Sequence, residues 1–306
     1  MVSEKSGTFF LLKIKTMSLK IAIQGIESSF HDMAVKKLFP NEEIELVMCN
    51  SFEKVTEAIN NFDADFGVLA IENTIAGSIL PNYNLIDSND LVIMDEVFLN
   101  IQMYIMSLES EAIHDIIEIH SHPVALLQCK NYLQKFPPQF KIIEGSDTAS
   151  EAKKIKEGNL KGVAAIAGKQ VAEKYGLKIL DCKIQNNSDN QTRFVLIGKE
   201  IKSHSKQANK ATLKFKLDHR VGSLSNVLQL FNTFDISLTK IQSLPIIGEP
   251  WQYAFFVDVV FKDYQLFQDV IKVLEQAVKE LKVVGVYRQN HENKPSELLK
   301  NLMNEK

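Results

Sequence analysis

LKIAIQGIESSFHDMAVKKLFPNEEIELVMCNSFEKVTEAINNFDADFGVLAI, residues 19–71, decides the fold class. Leu19 to Gln24 is a short apolar run suited to a buried strand, and Gly25 opens a loop into a helix carrying Met33, Ala34 and Leu38. Glu45 to Cys49 reads as a second strand, Phe52, Val55, Ala58 and Ile59 recur at helical spacing, and Phe66 to Ile71 is a third strand. Strands that alternate with helices predict βαβ units and a largely parallel sheet, an α/β architecture.

Outward from this stretch the alternation continues. Leu91 to Met106 is strand-rich, Ile116 to His120 is a strand, and Pro123 to Phe136 is a helix stopped by Pro137-Pro138. Lys141 to Glu144 and Gly162 to Ile166 are strands; Thr148 to Glu157 and Lys169 to Tyr175 are helices, the latter closed by Gly176. A polar loop, Gln185 to Gln191, leads to a late strand at Val195 to Gly198. Residues 200–210, EIKSHSKQANK, lack periodicity and read as a linker. Beyond it the style changes. Leu213, Phe215 and Leu217 alternate with polar residues; Leu224, Val227, Leu228 and Phe231 follow at helical spacing. Strands at Ile236 to Leu244, Trp251 to Phe261 and Val283 to Tyr287 flank a helix at Leu266 to Val278. The order βαββαβ is the ferredoxin-like unit. Residues 1–17 read as an N-terminal extension, residues 290–306 as a tail with a short leucine-bearing helix.

The 306 residues carry 35 basic and 38 acidic side chains, a net charge of −3, so no basic face for nucleic acid is expected. No apolar run reaches the ~20 residues that span a bilayer, and no partner membrane is expected. Cys49, Cys129 and Cys182 are widely spaced and odd in number, which points to a reduced, cytoplasmic setting. Only Arg193, Arg220 and Arg288 among the cations are arginines.

Parallel sheets place their sites at strand-to-helix junctions. Three such junctions are polar: Gly25 to Phe30 with Ser28 and Ser29, Ile71 to Thr74 with Asn73, and Ser121-His122-Pro123. Each offers donors beside a helix N-terminus, where an anion is favoured. A fourth candidate, residues 187–194, runs from a polar loop into a strand through Thr192 and Arg193, whose side chains face opposite ways on a regular strand. His120 and His122 share a strand face, but no Cys or carboxylate at ligand spacing accompanies them, so no metal is expected. GxGxxG, GxxxxGK[ST] and GxSxG are all absent, which removes support for nucleotide cofactors and an esterase-type serine.

Gln191-Thr192-Arg193-Phe194 resembles the TRF motif of prephenate dehydratases. Residues 71–78, IENTIAGS, and 121–129, SHPVALLQC, resemble that family's IENS-x-x-G and SHPQALAQC segments; Asp147-Thr148-Ala149 and residues 164–167, AAIA, fall in order between. Arg220 to Leu224 resembles the RPGAL loop of an ACT domain, and residues 240–245, KIQSLP, occupy the place of its ESRP motif. Ile26 and Ser28 depart from the proline and glycine usual in the first loop, and Gln242 and Leu244 from the glutamate and arginine of ESRP.

The resemblance implies a two-lobed, type II periplasmic-binding-protein-like catalytic domain over residues 18–199 and an ACT regulatory domain over residues 211–289. It implies that prephenate loses CO2 and water to give phenylpyruvate, with no cofactor and no metal. Thr192 is then expected to donate to the leaving hydroxyl, Arg193 to clamp a substrate carboxylate or, as the alternative, to form a structural ion pair bracing the cleft, and Phe194 to wall the cleft. Ser29, Asn73, Thr74, Ser121 and Thr148 are the expected substrate donors. L-phenylalanine is the expected effector, at Gly222, Ser223, Leu224, Gln242, Ser243, Leu244 and Pro245, in a homodimer or homotetramer. Too little chain precedes Leu19 for the helical chorismate mutase domain of bifunctional members, so a monofunctional enzyme is expected. Arogenate dehydratase and a non-catalytic sensor with an ACT domain stay open as alternatives.

Overall fold

A computed structural model describes residues 18–137, 140–199, 208–218, 220–246 and 248–293. The expected N-terminal extension, most of the linker and most of the tail lie outside the described residues.

The first lobe is built from β1 (Leu19–Gln24), α1 (Phe30–Leu38), β2 (Ile44–Cys49), α2 (Phe52–Asn60), β3 (Phe66–Asn73), the two-residue β4 (Gly77–Ser78), α3 (Leu80–Ser88) and β5 (Val92–Asn100). The chain then crosses to a second lobe of β6 (Tyr104–Ser107), a 3-10 turn at Ile113–Asp115, β7 (Glu118–Ser121), α4 (Pro123–Gln128) and α5 (Lys130–Leu133). That lobe continues with β8 (Lys141–Glu144), α6 (Thr148–Gly158), β9 (Val163–Ala167), α7 (Lys169–Tyr175) and β10 (Lys178–Cys182). Its five strands are ordered β10-β6-β9-β7-β8. β11 (Gln191–Gly198) returns to the first lobe and inserts antiparallel between β3 and β5. Two crossings between two α/β lobes make the expected two-lobed architecture.

Alternation explains the first lobe's continuous apolar strands. Ile21, Ile23, Val68 and Ala70 pack on one face under α1, while Ala22, Leu69 and Ile71 pack on the other with α2 and α3 residues. Both faces are covered, so neither needs polar residues. The sheet is mixed rather than largely parallel, because the late strand runs back against β3 and β5.

The C-terminal unit is β12 (Lys210–Lys216), α8 (Ser223–Thr233), β13 (Ser237–Pro245), β14 (Tyr253–Val260), α9 (Tyr264–Ala277) and β15 (Glu280–Tyr287), the βαββαβ order read from the sequence. One face of its sheet packs under α8 and α9 through Leu213, Phe215, Val257 and Val259. The other face sends Leu244, Phe256, Val284 and Tyr287 into the first lobe's core. β15 also meets β5 edge to edge, joining both units in one ten-stranded sheet. The junction is a single parallel pair, Gly285 with Ile93, and a Cβ at 285 would run into the Ile93 carbonyl. Only glycine permits that approach.

Two local expectations are corrected. The helix from Pro123 breaks after Gln128, because Asn186 N–H takes the Gln128 carbonyl at 2.7 Å and Asn186 Oδ1 accepts from Asn131 N–H at 3.0 Å. A loop residue thereby replaces the helical ladder bond. The expected linker ends early, since Lys210 opens β12 and is buried. α3 and β10 had no prediction: Leu80–Ser88 carries little apolar periodicity, and Pro81 at its start marks the N-terminus.

Candidate active site

A cavity of about 260 Å³ opens between the lobes. Ser29, Asn73, Thr192 and Phe194 reach it from the first lobe, Ile101 and Met103 from the crossing segment between β5 and β6, and His122, Gln128, Asp147 and Thr148 from the second. Among the described lining residues there is no lysine or arginine.

Local sequence explains each placement. Ser29 caps α1, its Oγ accepting from Asp32 N–H at 3.3 Å, and Asp147 caps α6 by accepting from Ala149 and Ser150 N–H. Thr148 is the first residue of α6. The departure at Ser28 does not alter the backbone path in the way a missing glycine suggests: Ser28 takes φ +67°, and its N–H donates to Asp32 Oδ2 at 2.6 Å. That bond offsets the strain of a left-handed side-chain-bearing residue.

Thr192 sits at the start of β11 opposite Asn73 of β3. Asn73 Nδ2 donates to Thr192 Oγ1 at 2.9 Å and to Asn190 Oδ1 at 2.7 Å, while Asn73 Oδ1 accepts from Ile75 and Ala76 N–H. Gln128 ties the far lobe in: its Nε2 donates to Asn73 Oδ1 at 3.1 Å, and its Oε1 accepts from Asn190 Nδ2 at 2.9 Å. This closed amide network fixes which way Asn73 points. With Thr192 Oγ1 already accepting, its own O–H is left to donate into the cavity. Gln128 and Asn190 were not expected site residues, although both lie inside the recognised segments.

Period-2 alternation sends Arg193 to the opposite face. There Arg193 Nε donates to Glu96 Oε2 at 2.7 Å, Nη1 to Asp258, and Nη2 to Tyr287 Oη at 2.7 Å. Lys210 Nζ also donates to Glu96 Oε2 at 2.7 Å, and Thr212 Oγ1 to Asp258 Oδ1 at 2.6 Å. Burial alone would raise the Asp258 carboxyl, but Arg193 and Lys210 hold it below its ordinary value. Burial, reinforced by the Arg193 charge, lowers Lys210. The expected carboxylate clamp is therefore corrected: Arg193 braces β11 against the C-terminal unit and does not line the cleft.

Two expected donors are also placed elsewhere. Thr74 Oγ1 donates to Asp189 carbonyl and accepts from Gln191 N–H, both at 2.9 Å, clasping the polar loop outside the lining. Ser121, fully buried, donates to the Ile166 carbonyl at 2.6 Å and ties β7 to β9. His122 caps α4, its Nδ1 accepting from Val124 N–H, so the neutral ring carries its proton on Nε2.

A second hollow, about 470 Å³, lies in the C-terminal unit and is lined by Ser223 and Leu224 with Arg220, Trp251, Tyr253 and Phe255. Gly222, at φ +86°, starts α8 beside it. Gln242, Ser243 and Pro245 lie along β13 outside this lining, and Leu244 is buried toward the first lobe. The structure thus separates the expected effector residues into two groups.

The family model for prephenate dehydratase matches residues 21–202. An arogenate dehydratase/prephenate dehydratase of Arabidopsis thaliana, a chloroplastic protein, is 33% identical over 88% of this chain and 72% of its own. The structure of prephenate dehydratase from Staphylococcus aureus matches with TM-score 0.75 and 26% identity over 88% of this chain and all of that one. A prephenate dehydratase from Arthrobacter aurescens in complex with L-Phe matches with TM-score 0.80 and 23% identity over 91% and 92% of the two chains, a likeness of fold. With a matched model over more than half its length and a relative this similar over most of it, the chain belongs to the prephenate dehydratase family of hydro-lyases.

Proposed function

We propose that the cleft converts prephenate to phenylpyruvate in phenylalanine biosynthesis. The bond from the ring to its carboxylate breaks with release of CO2, the electron pair enters the ring, and the ring hydroxyl takes up one proton from solvent and departs as water. Aromatisation drives the step. The observation that carries this reading is Thr192, whose oxygen accepts from Asn73 and whose proton is free to meet the leaving hydroxyl. A threonine is far too weak an acid to match the reaction's pH, so it serves as an oriented donor for developing charge. Ser29 and Thr148, at the starts of α1 and α6, offer hydroxyl donors to the carboxylates. Incubation with prephenate tests this: phenylpyruvate and CO2 should form in equal amounts, and no product would end the proposal.

Arogenate, which carries an ammonium in place of the keto group, is the second reading. Asp147 favours it, as a carboxylate in a lining without lysine or arginine among its described residues. Parallel assays rank the two substrates by kcat/KM.

L-phenylalanine suits the second hollow, where Arg220 and the start of α8 meet its carboxylate and Trp251, Tyr253 and Phe255 meet its ring. Titration calorimetry should show binding that Trp251→Ala weakens; no heat with the unaltered protein would remove the effector. β13 is an edge strand, paired in the described sheet only with β14, and offers its free edge to a second copy in a homodimer or homotetramer. The three separate thiols suit a cytoplasmic setting. Among the described residues, no helix is long and apolar enough to cross a membrane.

A further inference from the structure

We infer that His31 is a substrate-contacting residue, whose neutral imidazole hydrogen-bonds a carboxylate or hydroxyl oxygen of the ligand held in the cleft. The inference rests on the reading of that cleft as the dehydratase site. His31 is the second residue of α1 and lines the cavity with Phe30, Phe52 and Phe194. Its ring meets Phe194 edge-on, with centroids 5.0 Å apart, and Phe52 at 5.6 Å. It is 8% exposed, and its Nε2 is buried with no hydrogen-bond partner among the described residues.

An aromatic wall has no need of that nitrogen. Phenylalanine would keep both ring contacts and leave no polar atom unsatisfied, whereas a buried unpaired nitrogen is destabilising. The nitrogen gains a purpose only if something else meets it, and the ring that carries it lines the cavity. Burial first, and the nearby His122 second, push the His31 pKa down to about 3, so the ring is uncharged at neutral pH and keeps one N–H. A neutral donor is the useful kind here. It binds an anionic oxygen without bringing a fixed cation into a lining whose described residues include no lysine or arginine. Hydrogen bonds to charged groups change binding about ten- to hundredfold.

The test compares the unaltered protein with His31→Phe and His31→Gln, using prephenate turnover, equilibrium prephenate binding and thermal melting. His31→Phe keeps the wall and removes both nitrogens; His31→Gln returns an amide donor near the same place. The expected result is a ten- to hundredfold loss of kcat/KM in His31→Phe at unchanged or higher melting temperature, with most of the loss recovered in His31→Gln. Wild-type kcat/KM in His31→Phe overturns the inference, as does a loss in both variants that follows their melting temperatures. If the unaltered protein binds prephenate without turning it over, the dehydratase reading falls and His31 is judged on affinity alone: about tenfold weaker binding in His31→Phe supports it, equal binding overturns it. If prephenate does not bind at all, both fall together.

Discussion

Thr192 and Arg193 are neighbours in the chain, yet they stand in opposite electrostatic worlds on the two faces of β11. Toward the cleft, Thr192 and Phe194 join a lining whose described residues include no lysine or arginine. Toward the C-terminal unit, Arg193 and Lys210 are packed with Glu96 and Asp258, two buried cations against two buried anions. The back face is closed to further ligands, because every arm of the Arg193 guanidinium is spent on a fixed partner. On the cleft face, by contrast, His31 Nε2 has no hydrogen-bond partner among the described residues. A charge that braces and a hydroxyl that faces the cleft can thus be adjacent without interfering, because the strand's alternation separates them.

The largest effect expected from breaking this division is on the back face. Arg193→Met leaves Glu96 and Asp258 as buried anions with Lys210 as their remaining cation. Removing one partner of such a group costs about 3–5 kcal/mol. Urea unfolding should show that loss. Arg193→Lys keeps the charge but cannot reach Glu96, Asp258 and Tyr287 together, so it should still lose about 1–3 kcal/mol. Unchanged stability in Arg193→Lys, combined with a raised KM, would return Arg193 to the cleft face.

On the cleft face the corresponding change should be nearly silent in stability and large in rate. Thr192→Val preserves shape and removes the hydroxyl, and Asn73 Nδ2 retains Asn190 and the Gln191 carbonyl as acceptors. The expected loss is about 10²–10³ in kcat, the scale for removing one preorganised donor. Stopped assays on prephenate beside a melting curve separate this from unfolding. A kcat within threefold of the unaltered protein would leave the cleft without its central group.

How far the sequence shows this division depends on how local each determinant is. That Thr192 and Arg193 point apart follows from strand period alone, and the cleft donors Ser29 and Thr148 follow from helix starts after strands. What met Arg193 was not legible, because Asp258 lies 65 residues onward, on a strand whose contact with β11 depends on how two units dock. Strand pairing within the second lobe likewise hid the Ser121 bond, in which the hydroxyl donates to the Ile166 carbonyl. Tertiary contact also hid the break in the helix after Gln128, since Asn186 arrives from the returning crossover. Gln128 and Asn190 were visible as members of recognised segments, but their mutual bond across the lobes was not. Local pattern reveals which residue faces where; only tertiary contact reveals what it meets.

The two faces should also separate on acidification. His31, on the cleft face, titrates at 6.5 when free and at about 3 when folded, because burial disfavours its charged form. The unfolded chain therefore binds the extra proton first. The stabilisation is complete above pH 6.5 and is lost progressively as pH falls toward 3, by about 2 kcal/mol at pH 5. His122, also lowered chiefly by burial, adds to the loss in the same direction. The back face behaves differently. Asp258 is held below its free value of 3.8, so its stabilisation is complete above that pH and is lost only as pH falls through its lower folded value. Between pH 6.5 and 4, then, the acid destabilisation that arises from these two faces comes from the cleft histidines. Urea midpoints at pH 8 and pH 5 should differ for the unaltered protein, and the difference should shrink by about 2 kcal/mol in His31→Gln, with the His122 contribution left behind. The same pH dependence in both proteins would show that His31 takes up its proton in the folded state, and would remove the neutral ring from the cleft.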